Sequence, residues 1–418
     1  MNRFADHTSL REPHDLTFLA RNPYVYHCHH FNLFHDQTID DVMGEEAGYQ
    51  RRARAARNAY RPILRGLFER MGASTVPEKL ELAQSLFSAM GHGRVSLEAG
   101  EGREHGTGSF LHYGFAWREK YGERIRRQDP IDAVAAGYLA ALAELAAADG
   151  KPRAVKETEC VAAKASYCHF DISPRAAVPE DRDCPDEGEI EAFLPASEGG
   201  RDEQEVGAIA DGLQGFVRGV AGDDRGLVQA FNVFVTQHAA GYYNETAFAA
   251  VRHVEATAPA VVGACEDLLR EAGHVCVFNT FGGILLSPEW EGMVGPLSGQ
   301  PYDIAKFCTA IARGLGFGRW SMTEFSDERM VLRTTSNYEA AHWLARFGRA
   351  EKSRCYFYQG AALAIKVLAH RVAWGERPTF TQKLYDDLFR GSGLGYRIET
   401  PRCLTRGDSV TEVVVSAT

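Results

Sequence analysis

The chain has 418 residues, 45% hydrophobic and 24% charged, with a formal net charge of −10 and a pI near 5.9. That length allows two or three domains, each with its own core, and the acidic balance excludes the global basic field that attracts nucleic-acid phosphates. No uncharged run approaches the roughly 18 residues that a membrane-spanning helix needs.

The opening residues, MNRFADHTSLREPHDL, are too polar and charged for a signal peptide. The expected compartment is therefore the cytoplasm, where the nine cysteines serve as ligands, nucleophiles or core residues rather than disulfides. An extended segment is predicted over 22–34, and it carries YHCHHFNLFH. As a strand it places Tyr24, Tyr26, Cys28 and His30 on one face, and Val25, His27, His29 and Phe31 on the other. Such a run suits a second transition metal, a haem or an acid/base imidazole. The alternative is a partly exposed strand whose histidines pair with Asp36, Asp40 and Asp41. Helices are predicted over 50–71 and 77–90, and the basic run at 50–61 reads as a solvated helix face. GHGRVSLE (91–98) belongs to a short strand pair, followed by HYGFAW (112–117) and an Ala-rich helix over 131–148. The hairpin AVKETECVAAKASYCHFDIS (154–173) ends this half with Glu157, Cys160 and Cys168. Residues 173–205, rich in Pro, Gly and acid, read as a linker or surface excursion.

The second half runs in the same order. QHAAGYYNET (237–246) aligns with HHFNLFHDQT (29–38), GFGRWSMT (316–323) with GHGRVSLE, and NYEAAHW (337–343) with HYGFAW. CYFYQGAALAI (355–365) aligns with DAVAAGYLAAL (132–142), and ETPRCLT (399–405) with ETECVAA (157–163). Helices are predicted over 247–272, 303–314 and 353–373. Five matches in unbroken order point to two related modules, 1–172 and 206–418, joined by 173–205. The predicted class is α+β, each module an antiparallel sheet packed with helices, in a pseudo-two-fold arrangement that reproduces a dimer within one chain.

Thiolate and carboxylate at E-x2-C-x7-C suit a tetrahedral zinc site, with the hairpin turn bringing both sulfurs to one side. Core thiols are the alternative, which leaves Glu157 unexplained. On this motif the sequence resembles the 4-vinyl reductase-like domain, including the sensor domains of phenol- and toluene-responsive activators. In that family a helix cysteine in C-x4-G-[YA] joins E-x2-C-x7-C around structural zinc. Asp132 stands at that cysteine's place before Gly137, so the resemblance implies zinc held by Asp132, Glu157, Cys160 and Cys168 in the first module. In the second module Cys355 precedes Gly360 correctly, but Glu399 and Cys403 stand one residue too far apart and Thr411 replaces the last cysteine. No metal is expected there. The resemblance also implies a pocket for a small, apolar, often aromatic molecule. Its lining would come from His105, His112, Tyr113 and Trp117, with Asn337, Tyr338 and Trp343 in the second copy and Tyr26 at its border. Core packing is the alternative role for each.

His30 and His238 align in the repeat while His27, His29 and His35 have no histidine counterpart, which makes His30 and His238 the candidate catalytic residues. The function expected is a stand-alone enzyme acting on a small organic molecule; the alternative is a non-catalytic sensor or carrier for a small hydrophobic ligand. A small-molecule partner is expected, with neither nucleic acid nor membrane, and a homo-oligomer is compatible with the sequence. No GxxxxGK[ST], GxSxG, Rossmann fingerprint or HExxH is present, so no motif names a reaction.

Overall fold

A computed structural model describes residues 3–11, 14–99, 104–122, 129–147, 149–196, 200–390 and 395–418. The first half opens with β1 (Thr8–Arg11), β2 (Leu16–Leu19) and β3 (Asn22–Cys28). Three helices follow: α1 (His29–Met43), α2 (Glu45–Met71) and α3 (Val76–Ala89). Then come β4 (Arg94–Ala99), β5 (Glu104–Ser109), α4 (His112–Tyr121), α5 (Ala133–Ala146), β6 (Arg153–Glu159) and β7 (Cys168–Pro174). Between the halves lie α6 (Glu187–Glu191) and α7 (Glu203–Gly219). The second half continues with β8 (Val228–Ala230), β9 (Val233–Ala239), α8 (Ala240–Thr257) and α9 (Val262–Cys276). A π-helical turn (Val277–Phe281) leads into α10 (Gly282–Leu285), α11 (Pro288–Met293) and α12 (Pro301–Gly314). The chain closes with β10 (Trp320–Phe325), β11 (Arg329–Thr334), α13 (Tyr338–Phe347), α14 (Tyr356–Arg371), α15 (Gln382–Phe389), β12 (Tyr396–Arg402) and β13 (Thr411–Ala417).

The fold is α+β, with three antiparallel sheets packed against helices. Two four-stranded sheets have the same order, β4-β5-β7-β6 and β10-β11-β13-β12. The third sheet, β1-β2-β3-β9-β8, takes strands from both halves and joins them through β3 and β9. Every residue of β3 is buried, as expected of a strand covered on both faces.

That central pairing corrects the alignment of the histidines. The β2–β3 turn, Ala20–Arg21, and the β8–β9 turn, Phe231–Asn232, both hold two consecutive residues at positive φ, as two-residue hairpins require. Superposing these turns aligns Tyr26 with Gln237 and His27 with His238. In the β3–β9 ladder Tyr26 sits opposite Gln237, and Val25 opposite His238, so the register is symmetric about the Tyr26/Gln237 pair. His30 is therefore not the counterpart of His238. Nor is it on a strand: the helix begins at His29, and the predicted face shared with Tyr24, Tyr26 and Cys28 does not exist.

Two further expectations change. The helix predicted over 247–272 is broken between α8 and α9 at Ala258–Pro259, because proline cannot continue the ladder of the helix before it. The described part of the segment 173–205 is largely exposed, as a surface excursion is, and is tied down at a few points. Arg61 and Arg65 on α2 reach Asp183, Arg175 clasps Asp181, and Cys184 lies buried against Gly241, where any Cβ would come within 2.7 Å of its sulfur. Two arginines of the run 50–61 are buried in ion pairs, so that run is not simply a solvated face. Arg52 binds Asp36 and Asp40, and Arg57 binds Glu144, all of them buried.

Candidate functional site

The acid–thiol cluster is assembled by one hairpin and one helix end. The β6–β7 ladder shifts register between Glu157 and Glu159, and Cys160 opens a 3-10 turn, Val161–Ala163, that closes on Lys164 in the left-handed region. This returns the chain so that Cys168 faces Cys160. Asp132 enters from the N-terminal end of α5. All four side chains are buried, and one ligand atom from each lies within 4.8 Å of the others. Asp132 Oδ2 is 3.5 Å from Cys160 Sγ and 3.4 Å from Cys168 Sγ. Backbone N–H groups of Gly114 and Asp132 donate to Asp132 Oδ1 and Glu157 Oε2, and Tyr49 OH also donates to Glu157 Oε2. Gly114 has no alternative, since a Cβ there would stand 2.7 Å from Asp132 Oδ2.

Among the described residues Glu157 Oε1 is buried with no hydrogen-bond partner, an arrangement that costs free energy unless something else satisfies it. Burial raises the pKa of Asp132 and Glu157 well above the ordinary carboxylate range, and each is raised further by acidic neighbours: Cys160 for both, and Asp132 for Glu157. Two sulfurs and two carboxylates around one point form a donor set suited to tetrahedral zinc, and a cation there would reverse both penalties.

The corresponding place in the second half is different. Cys355, ahead of α14, and Cys403 approach to 3.5 Å between sulfurs, with Thr411 Oγ1 3.9 Å from Cys355 and 3.7 Å from Cys403. Glu399 is exposed; Thr400 points inward instead, accepting from Gln359.

His30 lies in the first turn of α1 and borders a cleft of about 630 Å³ between the two halves. Phe34, Lys120 and Tyr121 form one wall, while Val275, Phe278 and Asn279 face them from α9 and the π turn, beside Phe380 and Tyr385. A π turn widens a helix locally and recurs at functional sites. The size and position match ligand pockets generally, which favour junctions between structural units. Burial, followed by neighbouring His29 and Lys120, pushes the His30 imidazole down to about 2, so the ring is neutral at ordinary pH. Burial also lowers the Lys120 pKa.

His238 lies elsewhere, in a closed polar layer beneath the central sheet. Tyr60 OH and Tyr113 OH stand 3.3 and 3.2 Å from its two ring nitrogens, and Tyr60 OH is 2.9 Å from His92 Nε2. Asn32 Nδ2 donates to Thr236 Oγ1 and His112 Nε2, and Asn32 Oδ1 accepts from Tyr243 OH. His27 Nε2, His92 Nδ1 and His112 Nδ1 are buried without partners among the described residues. Burial drives His27, His112 and His238 well below their usual range and His92 down to about 3, while raising Tyr113. The layer is thus uncharged. Among the described residues, no three of His27, His29, His30 and His35 converge as metal ligands.

Sequence reasoning missed Tyr60, His92 and Asn32. His92 was findable, because it sits between Gly91 and Gly93, both at positive φ, within a repeated element. The other sequence-selected residues scatter. Tyr26 OH donates to Val217 O and lines a small apolar crevice. Trp117 packs on Tyr121, at the edge of the large cleft. His105 is half-exposed on the outer face of β5, away from any interior pocket. Asn337 caps α13, the Tyr338 carbonyl accepts from Asn244, and Trp343 packs against Phe248 under Arg354. These three are structural contacts of the second half rather than the lining of one cavity.

No protein-family model matches the chain, and no curated protein matches it. Among solved structures the chain is similar to the phenol-responsive sensory domain of the transcription activator PoxR, crystallised with phenol. The identity is 19% and the TM-score 0.32, over 41% of this chain and 86% of that domain.

Proposed function

We propose that the chain is a non-catalytic binder of a small aromatic or hydrophobic molecule, built from two 4-vinyl reductase-like modules, with the ligand received in the His30–Phe278 cleft. The identical order of the two four-stranded sheets and the symmetric β3–β9 register support the two-module reading. The observation that carries the binding reading is the cleft itself: about 630 Å³, with aromatic walls from Phe34, Tyr121, Phe278, Phe380 and Tyr385, a neutral His30, and a polar side of Lys120, Asn279, Gln382, Asp386 and Arg390. A base held near 2 is poorly matched to proton transfer at neutral pH, whereas a neutral imidazole is a good hydrogen-bond partner for a phenolic hydroxyl. His238 is fully buried, with tyrosine hydroxyls at both ring nitrogens, a setting that favours a structural role.

In the same reading, zinc held by Asp132, Glu157, Cys160 and Cys168 is structural, tying the α5 end to the β6–β7 hairpin. Four protein donors would fill a tetrahedral zinc and leave no open position for a substrate. Calorimetric titration of the purified full chain with phenol and with toluene tests the proposal, together with Phe278→Ala and chromatography of the recovered probe. Saturable binding, weakened in Phe278→Ala, with the probe recovered unchanged, is the expected result. Binding indifferent to Phe278 removes the cleft assignment, and chemical conversion of the probe restores the enzyme reading.

A further inference from the structure

Strand β7 carries a second ligand-bearing set on its opposite face. Alternation along the strand turns Cys168, Phe170 and Ile172 inward and His169 and Asp171 outward. On the neighbouring strand β5, His105 is the cross-strand partner of Asp171, which puts it diagonal to His169 on the same outer face. His105 Nδ1 is 3.3 Å and His169 Nδ1 3.9 Å from the same oxygen, Asp171 Oδ1. One ligand atom from each of the three lies within 4.8 Å of the others.

We propose that His105, His169 and Asp171 form a surface site for a borderline divalent transition ion such as Zn²⁺ or Cu²⁺. Two imidazoles and one carboxylate are the donor types that such ions select. Ligands roughly 2.0–2.2 Å from a tetrahedral zinc stand about 3.3–3.6 Å apart, so the set closes on an ion with small side-chain rotations. The rival explanation is a pair of ordinary histidine–aspartate ion pairs. Against it, His105 Nδ1 is shielded from solvent yet makes no hydrogen bond among the described residues; its 3.3 Å approach to Asp171 misses hydrogen-bond geometry. Thr158 Oγ1, 3.0 Å from His169 Nδ1, steadies that ring and must yield the nitrogen to an ion. Glu98, exposed and paired with His105 across β4–β5, adds negative charge beside the set. Lys156, paired with Asp171 from β6, opposes the ion from the other side, which favours modest affinity and leaves the remaining coordination to water.

The site is half-open, unlike the enclosed cluster behind it, and therefore exchanges metal while the inner cluster retains its own. The test uses the full chain, washed briefly with chelator, its residual metal measured, and then titrated calorimetrically with Zn²⁺. Wild type should take up one equivalent beyond the residual content. His105→Gln and His169→Gln should each weaken that uptake at least about tenfold, with unchanged melting curves in the metal-free state because both side chains lie on an outer face. Cu²⁺ bound to the same preparation should show nitrogen hyperfine coupling in its electron paramagnetic resonance spectrum, lost in the double variant. If wild type takes up no additional equivalent, or the double variant takes it up unchanged, the site does not exist.

Discussion

Removing the Arg52 guanidinium should destabilise the protein by about 3–5 kcal/mol, the cost of stranding buried charges whose partner is gone. Arg52 is 1% exposed and makes contacts to three places at once. Its Nη1 donates to Asp36 Oδ2 at 2.9 Å and to the Ile131 carbonyl at 3.3 Å, while Nη2 donates to both oxygens of Asp40 at 2.9 and 2.8 Å. Burial opposes the charged guanidinium, but Asp36 and Asp40 outweigh it and raise its pKa above the ordinary value. Arg52→Met keeps most of the apolar stem and removes every one of those bonds. Asp36 then retains the Tyr242 hydroxyl at 2.6 Å, which places its share of the cost at the lower end, whereas Asp40, 2% exposed, loses three hydrogen bonds from the guanidinium. Ile131 also directly precedes Asp132, so the loss should loosen the acid–thiol cluster together with α1, the helix that carries His30. Urea unfolding followed by circular dichroism measures the change. The triple variant Arg52→Met, Asp36→Asn, Asp40→Asn should recover more than half of it, since no charge is left buried. A single variant within about 1 kcal/mol of wild type, below the range for broken buried pairs, would refute the reasoning.

Elemental mass spectrometry should find one zinc per wild-type chain and none in Cys160→Ser, whose melting temperature should fall strongly, since structural zinc contributes on the order of 10 kcal/mol in small domains; a wild type without zinc, or a variant that keeps it, overturns the four-ligand assignment. Gly137→Ala would place a Cβ 2.2 Å from the Ala53 carbonyl and 2.6 Å from Ala56 Cβ, forcing α5 off α2 at a cost of about 1–3 kcal/mol and shifting Asp132, as read by urea unfolding and metal retention. Glu203 is held down to about 2 despite opposing burial, through its fork to Arg313 and the Gly200 N–H. Its folded pKa lies below the ordinary 4.5, so its stabilisation is present above that value and is lost as pH falls from there through about 2; Glu203→Gln should flatten that part of the melting-temperature profile, and an unaltered profile counts against the fork.

What the residues determined alone is local. The spacing of Glu157, Cys160 and Cys168 encodes a hairpin with a tight turn, because strand alternation and a short 3-10 turn depend on neighbours within a dozen positions. The Ala-rich helix that presents Asp132 at its start follows from the same short-range rules, and so does the repeated order of elements. His30 escaped those rules. YHCHHFNLF has no cap residue to mark where strand becomes helix, since Cys28 ends the strand without a side-chain bond to the helix it precedes. That His27 rather than His30 holds the position matching His238 appears only when the two hairpin turns, about two hundred residues apart in the chain, are superposed and the β3–β9 register is read. The cleft likewise joins α1 and α4 to the π turn and α15, and the partners of Arg52 and Arg57 come from other elements. Local periodicity is written in adjacent side chains, but cavities and buried charge pairs arise where distant surfaces meet, and only the tertiary structure decides which surfaces those are.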